Sequence, residues 1–103
     1  MNKSDLQKIA DELEFDLEDV EMLLGVFIES AEDSLASLNV AVENNDYDTI
    51  FKEAHAIKGS AGNLTLNKIF ELAKVLENEA RESRPFNYKG TLSELVQHFN
   101  SIK

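Results

Sequence analysis

The strongest constraint on the fold is a long stretch after Asp16 in which apolar residues recur at alternating steps of four and three. These residues are Leu24, Ile28, Ala31, Leu35, Leu38 and Val42. Because an α-helix has 3.6 residues per turn, this spacing places all of these side chains on one helical face. Alternation of apolar and polar residues, which would indicate a β-strand, is nowhere sustained. The sequence therefore predicts an all-α fold built around one long amphipathic helix.

Shorter segments with the same helical periodicity lie on both sides of this long helix. One precedes it and three follow it, and residues that favour caps, turns or helix ends mark their boundaries: Ser4, Asn44-Asn45-Asp46, Thr65, Arg84-Pro85, Gly90 and Thr91. Short connections between successive amphipathic helices predict an antiparallel four-helix bundle with a short N-terminal helix. The length is typical of one domain, and we assign residues 1–103 to it.

The charge and the missing residue types exclude several classes of function. The chain has 20 acidic and 10 basic residues, so its formal net charge of -10 disfavours nucleic acid and anionic membranes. No apolar stretch is long enough to span a bilayer, and no secretory signal opens the chain. The absence of cysteine excludes disulfides and thiolate metal sites. We therefore expect a soluble cytoplasmic monomer that binds neither nucleic acid nor membranes.

The segment that begins at His55 combines a helical apolar pattern with two glycines. Opposite the apolar stripe, His55 shares its side of the helix with Lys58, Gly59, Gly62 and Asn63. A glycine inside a helix costs roughly 1 kcal/mol relative to alanine, so two of them on the exposed side favour a functional explanation. Without side chains there, a second protein can approach the imidazole, and the lysine can meet a negative charge. The pattern predicts anionic modification of the histidine.

Apolar side chains near His55 extend beyond the predicted core stripes. Phe51 lies one turn before the histidine on the same side of its helix, and Leu23, Val26 and Phe27 widen the apolar surface of the long helix. An apolar patch with a polar rim is the usual anatomy of a transient interface. We therefore expect a partner to dock on these four apolar residues.

The run His55-x-x-Lys58-Gly59-Ser60-Ala61, on the second long helix of a small acidic bundle, resembles the histidine-containing phosphotransfer, or HPt, family. The segments Phe27-Ile28-Glu29-Ser30-Ala31-Glu32 and Asn45-Asp46-Tyr47 are similar to the family as well. The resemblance covers nearly the whole chain. The sequence departs from the family at Thr65, where many members have glycine, and at Glu53, where the family often has an apolar residue.

The resemblance implies that a receiver domain of a response regulator phosphorylates His55 on a ring nitrogen from its phosphoaspartate, and that the group then passes to another receiver. Lys58 would steady the phosphoryl oxygens, Gly59 would leave room, and Asn63 would add a hydrogen bond. The receiver can bring the aspartate, Mg²⁺ and a lysine, so we expect no cofactor or metal site in this chain. No nucleotide-binding motif is present, which predicts a phosphoryl carrier without ATP-dependent kinase activity of its own.

Other functions remain open at this point. The phosphorelay protein could be free-standing or part of a hybrid sensor histidine kinase. The same motif is compatible with the N-terminal phosphoacceptor domain of a chemotaxis-type histidine kinase. A third possibility is a non-phosphorylated adaptor that binds partner helices through the apolar patch. A metal-dependent enzyme that uses His55, His98 and carboxylates is disfavoured, because no Glu-x-x-His pair or similar ligand spacing occurs.

Overall fold

In a computed structural model that describes residues 1–103, the chain forms five α-helices and no strand. They are α1 (Lys3–Leu13), α2 (Leu17–Glu43), α3 (Tyr47–Asn63), α4 (Asn67–Arg81) and α5 (Tyr88–Ile102). The prediction of an all-α fold is confirmed. With 27 residues, α2 is about 40 Å long, which is close to the 42 Å length of the molecule. None of the helices combines the length and the apolar character that crossing a bilayer requires.

The helices pack in a closed cycle in which α2 contacts α3, α3 contacts α4, α4 contacts α5, and α5 returns to α2. The short α1 packs on α2 alone. This arrangement is compatible with the predicted antiparallel four-helix bundle and its short N-terminal helix. α3 packs against α2 and α4, and the candidate histidine lies on the part of its surface that neither neighbour covers.

The buried side of α2 extends beyond one edge of the stripe predicted from its periodicity, and three residues of that stripe, Ile28, Leu35 and Val42, are only partly buried. Its buried residues are Val20, Leu24, Phe27, Ala31, Leu38 and Ala41. Since α2 contacts three other helices, its buried sector must cover more of its circumference than one stripe. Phe27 is only 4% exposed and packs edge-to-face on Phe99 of α5, with the ring centroids 6.3 Å apart. The prediction that Phe27 belongs to an exposed docking patch is therefore wrong.

Polar side chains cap three of the helices. Asn2 and Asn87 accept hydrogen bonds from backbone N–H groups at 2.8 and 3.0 Å, and these caps start α1 and α5 earlier than Ser4 and Thr91 would. Asp46, in the predicted turn cluster, caps α3 by accepting from the backbone N–H of Thr49 at 3.2 Å. These caps fix where each helix begins, and for α3 they set the position of the histidine within the helix.

Each connection between helices contains one non-glycine residue in the left-handed region. These residues are Glu14, Asn45, Thr65 and Ser83, with φ between 50° and 57°. Such a conformation costs on the order of 1 kcal/mol for a residue with a Cβ, so packing of the flanking helices must impose it. Thr65 therefore does not cap α4 as predicted. It adopts the conformation that glycine favours, and the connection between α3 and α4 remains short.

Candidate functional site

His55 lies in the middle of α3 with its side chain 65% exposed. The opposite face of this helix buries Ile50, Ala54, Ile57 and Ala61. Burial of that apolar face fixes the rotation of α3 about its axis, and this rotation directs the histidine outward. The predicted exposure of His55 is therefore confirmed, and the ring is accessible to a second protein.

A buried carboxylate on α4 contacts the exposed histidine. The Nδ1 atom of His55 is hydrogen bonded to Oε2 of Glu77, whose side chain is only 1% exposed. An ionised carboxylate can only accept hydrogen bonds, so Nδ1 carries the proton and donates the hydrogen bond to Glu77. In the neutral imidazole with its proton on Nδ1, the other ring nitrogen, Nε2, holds a free lone pair. Glu77 thus selects which nitrogen of His55 can act as a nucleophile.

Two cations share this carboxylate with the histidine. Lys58 Nζ donates to Glu77 Oε1 at 2.6 Å and is 24% exposed, whereas Arg81 Nη2 lies 3.5 Å from the same oxygen and is 53% exposed. Burial by itself raises the pKa of Glu77, but the hydrogen bonds from Lys58 and His55 and the charge of Lys58 outweigh it and lower the pKa below its usual value. Glu77 is therefore ionised at neutral pH, and Lys58 is already engaged.

Glu77 was not among the predicted site residues, although the sequence contains a signal for it. Helical periodicity places Ile69, Ala73, Leu76 and Ala80 on one apolar stripe of α4, and Glu77 follows Ala73 by four residues and precedes Ala80 by three. Both spacings place the carboxylate on the same face as the alanines, and all three residues are buried. A single carboxylate on an apolar stripe indicates a buried charge that needs partners.

Phe51 supports the imidazole from the turn of α3 that precedes it. The rings of Phe51 and His55 stack with centroids 6.1 Å apart and planes 17° apart. The guanidinium carbon of Arg81 lies 5.4 Å from the centroid of the Phe51 ring. Phe51 is therefore half-buried, in contact with both His55 and Arg81, and it does not belong to the same surface as the docking residues predicted on α2.

The two glycines on the histidine side of α3 have different surroundings. A Cβ on Gly59 would meet no atom within 4 Å, so the surface beside His55 is open there, as predicted. A Cβ on Gly62 would lie 3.3 Å from the ring of Phe70, so this glycine allows α4 to pack closely and does not provide access. Asn63 ends α3 about 12 Å along the helix from His55, and the structure does not bring the two together.

An apolar groove of about 420 Å³ lies on the α2 side of α3, and we refer to it as the α2 groove. Its lining consists of Leu13, Phe15, Leu23, Val26, Phe27, Ser30, Ser60, Asn63 and Leu64. The predicted docking residues on α2 thus lie at one groove, with Val26 exposed, Leu23 partly buried and Phe27 buried. The fourth predicted docking residue, Phe51, lies on the other flank of α3.

The two histidines lie on helices that do not contact each other, His55 on α3 and His98 on α5. No group of three or more histidine, aspartate or glutamate side chains is arranged to hold a metal ion. The arrangement therefore gives no support to the metal-dependent enzyme considered from the sequence.

Two comparisons with known proteins find a family and a fold that match most of the chain. The model of the Hpt domain family matches residues 22–100, which include His55, Lys58 and Glu77. The crystal structure of histidine-containing phosphotransfer protein B (HptB) from Pseudomonas aeruginosa PAO1 is similar to this chain, with a TM-score of 0.79 and 22% sequence identity. That similarity covers 99% of this chain and 86% of the other. No curated protein matches the chain by sequence.

Proposed function

The chain belongs to the Hpt domain family, and on that basis we propose that it is a histidine phosphotransfer protein of a two-component phosphorelay. In this proposal His55 accepts a phosphoryl group from the phosphoaspartate of one receiver domain and passes it to the aspartate of another. The observation that carries the proposal is the hydrogen bond from Nδ1 to buried Glu77, because it leaves Nε2 as an exposed nucleophile.

The transfer needs no proton movement within this chain. As Nε2 attacks the phosphorus in line, a P–N bond forms, the P–O bond to the partner's aspartate breaks, and the aspartate leaves as a carboxylate. The ring of His55 gains positive charge, and its Nδ1 proton stays directed at Glu77, whose negative charge stabilises that ring. In the reverse direction the electrons of the P–N bond return to Nε2. The chain therefore requires no general base.

The remaining parts of the reaction come from the partner. The receiver domain supplies the aspartate and the Mg²⁺, so this chain acts as a phosphoryl carrier without ATP-dependent kinase activity of its own. The proposal treats residues 1–103 as one monomeric Hpt-like domain whose four longer helices form an antiparallel bundle. A receiver that docks on the α2 groove, against Leu23 and Val26, approaches His55 across the open surface at Gly59.

To test this function, the purified chain is incubated with several radiolabelled phospho-receiver domains and Mg²⁺. The products are then separated on gels kept at alkaline pH to preserve phosphohistidine. We expect label on the wild-type chain and none on the His55→Gln variant. Since His55 is exposed, this variant should fold normally, which circular dichroism checks. The matched control, His98→Gln, should be labelled like the wild type.

The alternatives give different results in the same experiment. Label from a chemotaxis-type kinase catalytic domain with ATP, and none from any receiver, would reassign the chain as a kinase phosphoacceptor domain. No label from either source would contradict the proposal and favour the non-phosphorylated adaptor.

A further inference from the structure

We propose that Arg81 is the residue that binds the phosphoryl group on His55, while Lys58 stays paired with Glu77. This inference rests on the proposed function, since it concerns the phosphorylated state of the same site. It differs from the role that the family resemblance implied for Lys58, because the structure shows that the carboxylate already holds that lysine.

Before phosphorylation, two cations of the site share one carboxylate, so one positive charge is not compensated. Glu77 is negative and Lys58 and Arg81 are positive, whereas the nucleophilic form of the imidazole, in which Nε2 carries no proton, is neutral. Transfer puts a phosphoryl dianion on Nε2 and a positive charge on the ring, and the five groups together are then neutral. The rest of the chain offers little compensation, since its formal net charge is -10. The dianion therefore needs the second cation.

The two cations differ in how firmly Glu77 holds them. Lys58 makes a hydrogen bond of 2.6 Å to Oε1, whereas Arg81 lies 3.5 Å from that oxygen, beyond the usual range of an N–H···O hydrogen bond. Moving Lys58 away would remove the closest positive charge from the buried carboxylate of Glu77. Moving Arg81 away leaves both short hydrogen bonds of Glu77 in place. Arg81 is therefore the cation that can change partner at the smaller cost.

The side chains of His55 and Arg81 lean in directions that bring Arg81 close to the position of the phosphoryl group along α3 and α4. Side chains on a helix lean toward its N-terminus, so His55 leans toward Phe51, the residue that Arg81 covers. On α4, Arg81 leans toward Glu77, the residue that His55 contacts. The two side chains therefore converge, and a guanidinium can bind two phosphoryl oxygens at once.

The test measures how the phosphoryl group distributes at equilibrium between a donor receiver and this chain. Loss of a charge-assisted hydrogen-bonded pair predicts that Arg81→Gln shifts the distribution toward the receiver by about tenfold. Arg81→Lys should restore part of that loss, since it keeps the charge without the fork of two N–H groups. The matched control is Arg84→Gln, which removes the same charge from an arginine that pairs with Glu79 at 3.6 Å. It should shift the distribution of the phosphoryl group less than twofold.

A spectroscopic readout separates phosphoryl binding from a merely structural role. In ¹⁵N-labelled wild-type chain, the guanidinium resonances of Arg81 should shift when His55 is phosphorylated, and those of Arg84 should not. A wild-type chain that no receiver labels would overturn the proposed function and this inference together. A labelled wild type in which Arg81→Gln equals Arg84→Gln would overturn the inference alone. A shift of the equilibrium in folded Lys58→Gln, without one in Arg81→Gln, would assign the role to Lys58.

Discussion

On its α4 side, α3 meets a network of paired charges, whereas on its α2 side it borders an open apolar groove. The network consists of His55, Lys58, Glu77 and Arg81, and none of these residues lines the α2 groove. The network depends on directional hydrogen bonds to one buried carboxylate, which control the state of one ring. The groove depends on apolar area, which has no preferred direction. The residues proposed to react and the residues proposed to bind the receiver are therefore separate.

This separation implies that the two functions can be changed independently. A substitution in the network should alter the rate of phosphorylation with the receiver bound, with little change in receiver affinity. A substitution in the α2 groove should do the opposite. The following experiments test that separation.

The largest effect is expected in the network, from Glu77→Gln. A neutral amide binds the Nδ1 proton less strongly and stabilises the charged ring less, and a hydrogen bond to a charged group contributes about 1.5–3 kcal/mol. We therefore expect the single-turnover rate of His55 phosphorylation, at saturating phospho-receiver, to fall by about 10–100-fold. The matched control is Glu79→Gln on the same helix, whose carboxylate pairs with Arg84 at 3.6 Å. An unchanged rate, or a change in receiver affinity alone, would contradict the role given to Glu77.

A smaller effect is expected in the groove, from Val26→Asp. The substitution places a charge on the apolar lining, which should weaken receiver binding by about tenfold through the cost of desolvating that charge. The single-turnover rate at saturation should remain that of the wild type. Val40→Asp is the matched control, because Val40 is an exposed valine on the same helix that lies outside the α2 groove. Calorimetric titration measures both affinities, and equal losses would show that the groove is not the docking surface.

The smallest effect concerns stability and distinguishes the two glycines of α3. Alanine is favoured over glycine in a helix by up to about 1 kcal/mol, so Gly59→Ala should raise the free energy of unfolding by nearly that amount. Gly62→Ala should raise it less, because the new Cβ would lie 3.3 Å from Phe70 and the ring must shift. Urea denaturation of the two variants measures the difference. Equal gains would show that α4 does not pack closely on Gly62.

Local patterns in the sequence were sufficient to predict the helices and the exposure of His55. The apolar stripe of α3 fixes which side of that helix is buried, and the histidine lies opposite it because 3.6 residues make a turn. For Phe27 the local pattern predicted the wrong degree of exposure. Its angle on α2 predicted an exposed position, but α2 has three neighbouring helices and buries residues beyond one edge of its predicted stripe.

The helical order and the place of His55, Lys58 and Gly59 on one side of α3 follow from the amino-acid sequence alone, because backbone hydrogen bonds within a helix make that geometry local. Folding brings Glu77, 22 residues from His55, to the ring whose proton it fixes, and places Arg81 over Phe51. These contacts depend on how α4 is aligned against α3. That alignment follows from the packing of side chains on both helices, and no periodicity within one segment specifies it.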